Sequence, residues 1–240
     1  MPKQIELSLV LPCYNEAQHF NESVARILGV LHEHFSSFEV IFVDDKSQDE
    51  TAGLIRSYIK NHKSHFTAIY HAQNTGRGQA VTDGINISRG KYVGFMDIDC
   101  EISPKYIPEF IDQIKNGADV VCALRRYKVN LPGLVRVVAS KFYTVLVHLL
   151  LHTSMSDTEA GYKFFRRQSL LPVLKTVHNQ GWFWDTEIMV RSERAGLEIS
   201  FLPVRFNRRL DKTSTVRLVP DALKYFIKLW KFRKLLDMEG

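Results

Sequence analysis

Three apolar runs, Leu7–Leu11, Phe38–Val43 and Tyr92–Met96, each stop at a polar cluster. Long apolar stretches without strict alternation mark strands buried on both faces, as in a parallel sheet. Between the first two, residues 16–35 carry Phe20, Val24, Ile27, Leu28 and Leu31 at helical spacing. The segment from Asp49 to about Ile59 reads as a second helix, opened by acidic residues and Thr51. Further on, Ala118–Leu124 reads as a strand ending in Arg125 and Arg126, a helix is expected beyond Pro132, and Glu198–Phe206 reads as the last strand. Strands alternating with helices predict an α/β fold, a mostly parallel central sheet flanked by helices. A basic amphipathic helix closes the chain.

In an open parallel sheet, ligands gather beyond the carboxyl ends of the strands. Tyr14, Glu16, Asp45 and Asp97 all fall at such ends, so three strand termini converge on one crevice. Asp97-Ile98-Asp99 ends the third run, and side chains two apart on a strand share a side. A pair of carboxylates there suits a hard cation, Mg²⁺ or Mn²⁺, whose open positions nucleotide phosphates can fill. The competing reading is a strand running into an acidic turn, since short motifs match by chance.

Four motifs in order decide between these readings. Pro12-Cys-Tyr-Asn-Glu16, Val43-Asp-Asp45 with Ser47 and Asp49, Asn74-Thr-Gly76-Arg77-Gly78-Gln-Ala80 and Asp97-Ile-Asp99 together resemble the family 2 glycosyltransferases, over nearly the whole chain. The resemblance implies a single GT-A, Rossmann-like domain and an inverting, metal-dependent transfer of a hexose from a UDP- or GDP-sugar. It places Pro12, Tyr14 and Glu16 around the base and ribose, Asp45 on the base edge, Arg77 near the diphosphate, and Asp97 and Asp99 at the metal. Ordinary packing for Tyr14 and helix-start capping for Glu16 and Asp49 are the structural alternatives.

The second half is similar to polyprenyl-phosphate sugar synthases, including dolichyl-phosphate mannose and glucose synthases. There, arginines at positions matching Arg125 and Arg136 hold the lipid phosphate, with Ser140 as helper; arginine suits bidentate phosphate binding. A solvated basic surface is the alternative. Asp157-Thr-Glu-Ala-Gly161-Tyr-Lys-Phe-Phe-Arg166 matches a further segment of that branch. Asp157 is the candidate base for a hydroxyl acceptor, and an orienting group for a phosphate, which needs no base. Trp182 and Trp184, in an aromatic-Asp-x-Glu segment, either flank the sugar or acceptor or pack in the core. The basic loop holding Arg208, Arg209, Lys212 and Ser214 reads Lys-Thr-Ser, where the lipid-phosphate enzymes have Ser-Lys.

The 240 residues carry no linker, repeat or low-complexity segment, which predicts a catalytic domain over 1–215 extended by the helix at 216–240. Cys13, Cys100 and Cys122 lie in or beside core strands without metal spacing, fitting buried thiols in a reduced, cytoplasmic setting. His148 and His152, four apart, suit a metal only if a third ligand joins them. No leader is visible, and Phe142–Leu151, the best apolar run, is too short to span a bilayer. The net charge of +6 concentrates at Lys224, Lys228, Lys231 and Lys234, beside Leu223, Phe226, Ile227 and Trp230. That stripe predicts a helix on the anionic cytosolic face of a membrane, its alternative being a helix packed on its own domain. No nucleic-acid motif accompanies the charge. Two other functions remain open: transfer to a glycan or lipid-linked sugar hydroxyl in cell-envelope polysaccharide synthesis, and nucleotide-sugar binding without turnover. The oligomeric state has no signal in the sequence.

Overall fold

The apolar runs become the middle of one sheet. The computed structural model describes residues 4–62, 65–127, 145–153, 155–207 and 218–239, without the side chains of Tyr127 and 218–224. Strand β1 is Leu7–Cys13, β2 Phe38–Asp44, β3 Phe66–Tyr70, β4 Tyr92–Met96, β5 Val120–Tyr127, β6 Tyr162–Arg166 and β7 Ile199–Phe206. Among the described residues they form a seven-stranded sheet in the order β3-β2-β1-β4-β6-β5-β7. β1, β2, β3 and β4 are mutually parallel, β5 is parallel to β7, and β6 runs antiparallel to both neighbours. The expected α/β architecture with a mostly parallel sheet is therefore present, with one reversed strand near its middle.

Helices α1 (Phe20–His34), α2 (Thr51–Asn61), α3 (Arg77–Ile87), α4 (Ile107–Lys115), α5 (Arg167–Leu174), α6 (Trp184–Arg194) and α7 (Leu218–Glu239) surround that sheet. Helix α1 buries Phe20, Val24, Ile27, Leu28 and Leu31, the residues whose spacing predicted it. Helix α4 buries Ile107, Phe110, Ile111 and Ile114. Helix α7 seats Leu229, Phe232 and Leu236 in the core, with Phe232 edge-on to Phe183. Phe226, Ile227 and Trp230 stay exposed on its outer side. One face of the terminal helix thus packs on its own domain, and a second apolar face stays exposed. No helix among the described residues is long and apolar enough to cross a membrane.

Two expectations change. Strand β4 ends at Met96, so Asp97, Ile98 and Asp99 lie in the turn beyond it and the strand-alternation argument does not apply. Buried Ile98 anchors the turn, leaving the two aspartates half-buried on either side. His148 and His152 are not a helical pair: residues 145–151 are helical, His152 lies past their end with φ 52°, and His148 Nε2 sits 2.7 Å from the carbonyl of Met155. No cluster of three or more metal-ligating side chains occurs among the described residues. The three cysteines are buried and free, as expected. The helix beyond Pro132, with Arg136 and Ser140, and the loop with Arg208, Arg209, Lys212 and Ser214 lie outside the described residues.

Candidate active site

The loops after β1 and β2 are tied together by the polar residues of the second motif. Asn15, at φ 57°, accepts a hydrogen bond from the Gln48 amide at 2.7 Å and donates its own amide to Ser47 Oγ at 3.0 Å. Thr51 Oγ1 accepts from the Glu16 amide at 2.8 Å, and Asp49 Oδ2 from the Ala17 amide at 3.1 Å. Asp49 also accepts from the Thr51 amide and hydroxyl, so it serves the helix start as well as the loop. Burial pushes its carboxyl up, but these hydrogen bonds outweigh it and hold the pKa below the ordinary value. Pro12 is buried opposite Val43, while Tyr14 projects beyond β1 with 46% of its surface exposed.

Asp45, expected at the base edge, is buried and fully engaged. It accepts from His71 Nδ1 (2.8 Å), the Thr75 amide (2.7 Å) and hydroxyl (2.9 Å), and the Gly76 amide (2.8 Å). Burial raises its pKa, and the bonds from His71, Thr75 and Gly76 more than reverse that. Its placement fixes the loop that leads into Arg77. The neighbouring Asp44 differs, because its buried Oδ1 has no hydrogen-bond partner among the described residues. Tyr70, at the end of β3, is part-exposed, with the Arg56 guanidinium 4.7 Å from its ring centroid. Asp44 and Tyr70 therefore belong to the same strand-end crevice, and sequence reading did not single them out. An aromatic closing the short run Phe66–Tyr70 was the available signal.

The central cluster links four charged groups. Arg77 Nε donates to Asp97 Oδ1 at 2.7 Å and Nη1 to Asp185 Oδ2 at 2.5 Å. Lys163 Nζ donates to Asp185 Oδ1 at 2.6 Å and to the Ala160 carbonyl at 2.5 Å. Phe95 and Trp182 lie 5.3 and 5.1 Å from the guanidinium carbon, so two aromatic faces also hold it. Burial works against the charge of Arg77, but Asp185 and Asp97 outweigh it and hold its pKa above the ordinary value. Its Nη2 has no hydrogen-bond partner among the described residues. A Cβ on Gly161 would lie 2.1 Å from Asp97 Oδ2 and 2.6 Å from that Nη2, so only glycine leaves the pair room. Lys163, fully buried in a strand that periodicity did not reveal, was missed as a member of the site.

On the far side, Arg125 and Asp157 form a two-point ion pair, Nε to Oδ2 at 2.8 Å and Nη2 to Oδ1 at 2.9 Å. Glu159 Oε2 lies 3.9 Å from the same Nη2. Partial burial pushes the Glu159 carboxyl up to about 7, the Arg125 charge opposing the rise and Asp157 adding to it. The two tryptophans divide: Trp184 is fully buried and donates to Thr82 Oγ1 at 2.8 Å, whereas Trp182 is 57% exposed above Arg77. Pro12, Tyr14, Glu16, Asp45, Arg77, Asp97 and Asp99 gather at one end of the sheet, with Arg125 and Asp157 at the end of β5. Asp99 Oδ1 accepts from the Glu101 amide at 3.2 Å. Two turn carboxylates beside an arginine fit a divalent cation held by few protein ligands and completed by phosphate oxygens.

A mostly parallel sheet with a polar crevice at its strand ends is the GT-A type of α/β fold. The glycosyl transferase family 2 model matches residues 8–174, and the chain belongs to that family; it is a glycosyltransferase. It is 28% identical to dolichyl-phosphate beta-glucosyltransferase of Dictyostelium discoideum, covering 95% of this chain and 77% of that protein. It is 29% identical to glycosyltransferase AglD of Haloferax volcanii, over 91% of this chain but 35% of that longer protein. Among solved structures, glucosyl-3-phosphoglycerate synthase from Mycobacterium tuberculosis, in complex with Mn²⁺, UDP-glucose and phosphoglyceric acid, superposes with a TM-score of 0.71 at 19% identity. That match covers 95% of this chain and 79% of the synthase and carries the fold.

Proposed function

We propose that this chain transfers a hexose, with inversion in a single displacement, from a nucleoside diphosphate sugar to a polyprenyl phosphate. The observation that carries the donor half is the contact of Arg77, a guanidinium whose Nη2 has no partner among the described residues, with Asp97 in the turn after β4. Pro12, Tyr14, Glu16 and Asp45 are assigned to the base and ribose side, Arg77 to the diphosphate, and Asp97 and Asp99 to Mg²⁺ or Mn²⁺. When bound, such a cation neutralises charge building on the departing diphosphate. The related dolichyl-phosphate beta-glucosyltransferases support the lipid-phosphate acceptor. So does the Arg125–Asp157 pair, because both carboxylate oxygens are engaged by a guanidinium, and a phosphate nucleophile needs no base. In this reading Arg125 and Arg136 receive the acceptor phosphate and Asp157 orients Arg125.

A second reading rests on Glu159, whose raised carboxyl would suit a general base for a hydroxyl acceptor. Asp157→Asn and Glu159→Gln, assayed on a short polyprenyl phosphate and on a sugar acceptor, separate the two. Appreciable turnover of both variants on the phosphate supports it as acceptor. Loss of turnover in Glu159→Gln, with activity only on the sugar, supports the hydroxyl. For the membrane, support comes from the outer side of α7, where Phe226, Ile227 and Trp230 are exposed beside Lys228 and Lys231, and Lys234 Nζ lies 3.8 Å from the Trp230 ring centroid. This face holds the enzyme reversibly at the cytosolic surface of a membrane, where a polyprenyl phosphate is within reach.

A further inference from the structure

We propose that Lys163 is a positioning residue for the donor's diphosphate, cancelling the charge of Asp185 so that Arg77 keeps a positive charge to offer the ligand; this rests on the donor reading above. Lys163 is fully buried on β6, between Phe95 of β4 and Cys122 of β5. An ammonium there is costly unless its charge is used, and an apolar residue would fill the position more cheaply. Its hydrogen bonds go to the Ala160 carbonyl and Asp185 Oδ1, and Phe95 lies 5.5 Å away across its ring face. Asp185 is equally buried and passes its other oxygen to Arg77.

The four groups Lys163, Asp185, Arg77 and Asp97 sum to zero charge. Asp97 stands at the solvent edge with 36% of its side chain exposed, while the other three are interior. If Asp97 turns to a cation, the interior three retain one positive charge, offered through Arg77, whose Nη2 has no hydrogen-bond partner among the described residues. Without Lys163 the same three positions carry none, and the whole cluster is negative before any diphosphate arrives. Because Arg77, Lys163 and Asp185 are themselves buried, that difference weighs against a polyanion.

The test measures, by calorimetry with Mn²⁺ present, the affinity ratio of UDP to UMP and of GDP to GMP, using whichever pair the wild type binds. Lys163→Gln keeps a hydrogen-bond donor but loses the charge, and its diphosphate preference should fall about tenfold or more. Lys163→Gln with Asp185→Asn restores neutrality and should recover the ratio to within about threefold. A purely structural lysine would lower the melting temperature without moving the ratio. An unchanged ratio in Lys163→Gln, or an equal loss in the double variant, overturns the proposal. Should Lys163→Gln not fold, Asp185→Asn alone decides, because added positive charge should hold or raise the ratio and a fall overturns the idea. A wild type that binds neither UDP nor GDP removes the donor reading itself.

Discussion

Gly161→Ala isolates the Arg77–Asp97 contact without altering either charged residue. The added Cβ would sit 2.1 Å from Asp97 Oδ2, 2.6 Å from Arg77 Nη2 and 2.9 Å from Asp97 Cγ. Non-bonded heavy atoms settle at about 3.5 Å, so the carboxylate must retreat by roughly 1 Å or more. Asp97, with 36% of its side chain exposed, can swing towards water, whereas Arg77, with 9% exposed, stays held by Asp185, Phe95 and Trp182. A charged hydrogen bond contributes about 1.5 to 3 kcal/mol, and solvent on Asp97 discounts this to about 1 kcal/mol. For a chain of this size that lowers the melting temperature by about 2 to 4 °C. The same displacement should cost on the order of a hundredfold in kcat/KM, because the groups assigned to the phosphate and the cation no longer hold their spacing. Scanning calorimetry and donor turnover, measured on one preparation, should show that contrast. Turnover within about threefold of wild type would refute the placement of the site around Arg77 and Asp97.

Glu159 makes stability depend on pH. Its carboxyl is raised from an ordinary 4.5 to about 7, so between these values the folded chain binds more protons than the unfolded one and stability falls as pH rises. Glu159→Gln should flatten that fall in denaturant titrations across pH 4.5 to 7, and an unaltered slope would show that another group is responsible. On α7, reversing the charge of Lys228, Lys231 and Lys234 should release the protein from anionic liposomes at low salt with no change in melting temperature. Equal sedimentation with neutral liposomes would exclude the electrostatic attachment. Phe232→Ala on the inner face should instead cost about 3 to 5 kcal/mol of stability, read in urea titrations.

Strands β1, β2 and β4 were legible because they are covered on both faces and so read as continuous apolar runs. The periodicity of α1 matched its buried face residue by residue. Strand β6 escaped notice for the opposite reason. It is short, and its second residue is Lys163, whose burial depends on Asp185, a residue 22 positions away. Local pattern carries no trace of such a partner. Asp45 shows a related limit: its motif marked an important carboxylate, but its hydrogen bonds to His71, Thr75 and Gly76 emerge only once the loop before α3 folds back on β2. The terminal helix was read as a choice between membrane and core, because a helical wheel does not distinguish one wide apolar face from two. Leu229 and Phe232 turn inward while Phe226 and Trp230 turn out.

The most direct measurement is transfer of radiolabelled hexose from UDP-glucose and from GDP-mannose to a short polyprenyl phosphate in the presence of Mn²⁺, with the anomeric configuration of the product determined by NMR. The expected result is label in a lipid-extractable sugar phosphate of inverted configuration, formed by the wild type and lost in Asp97→Asn and Asp99→Asn. Label that stays with the donor, or that appears only on a sugar hydroxyl when a glycan acceptor is supplied, would contradict the assignment of a polyprenyl phosphate as acceptor.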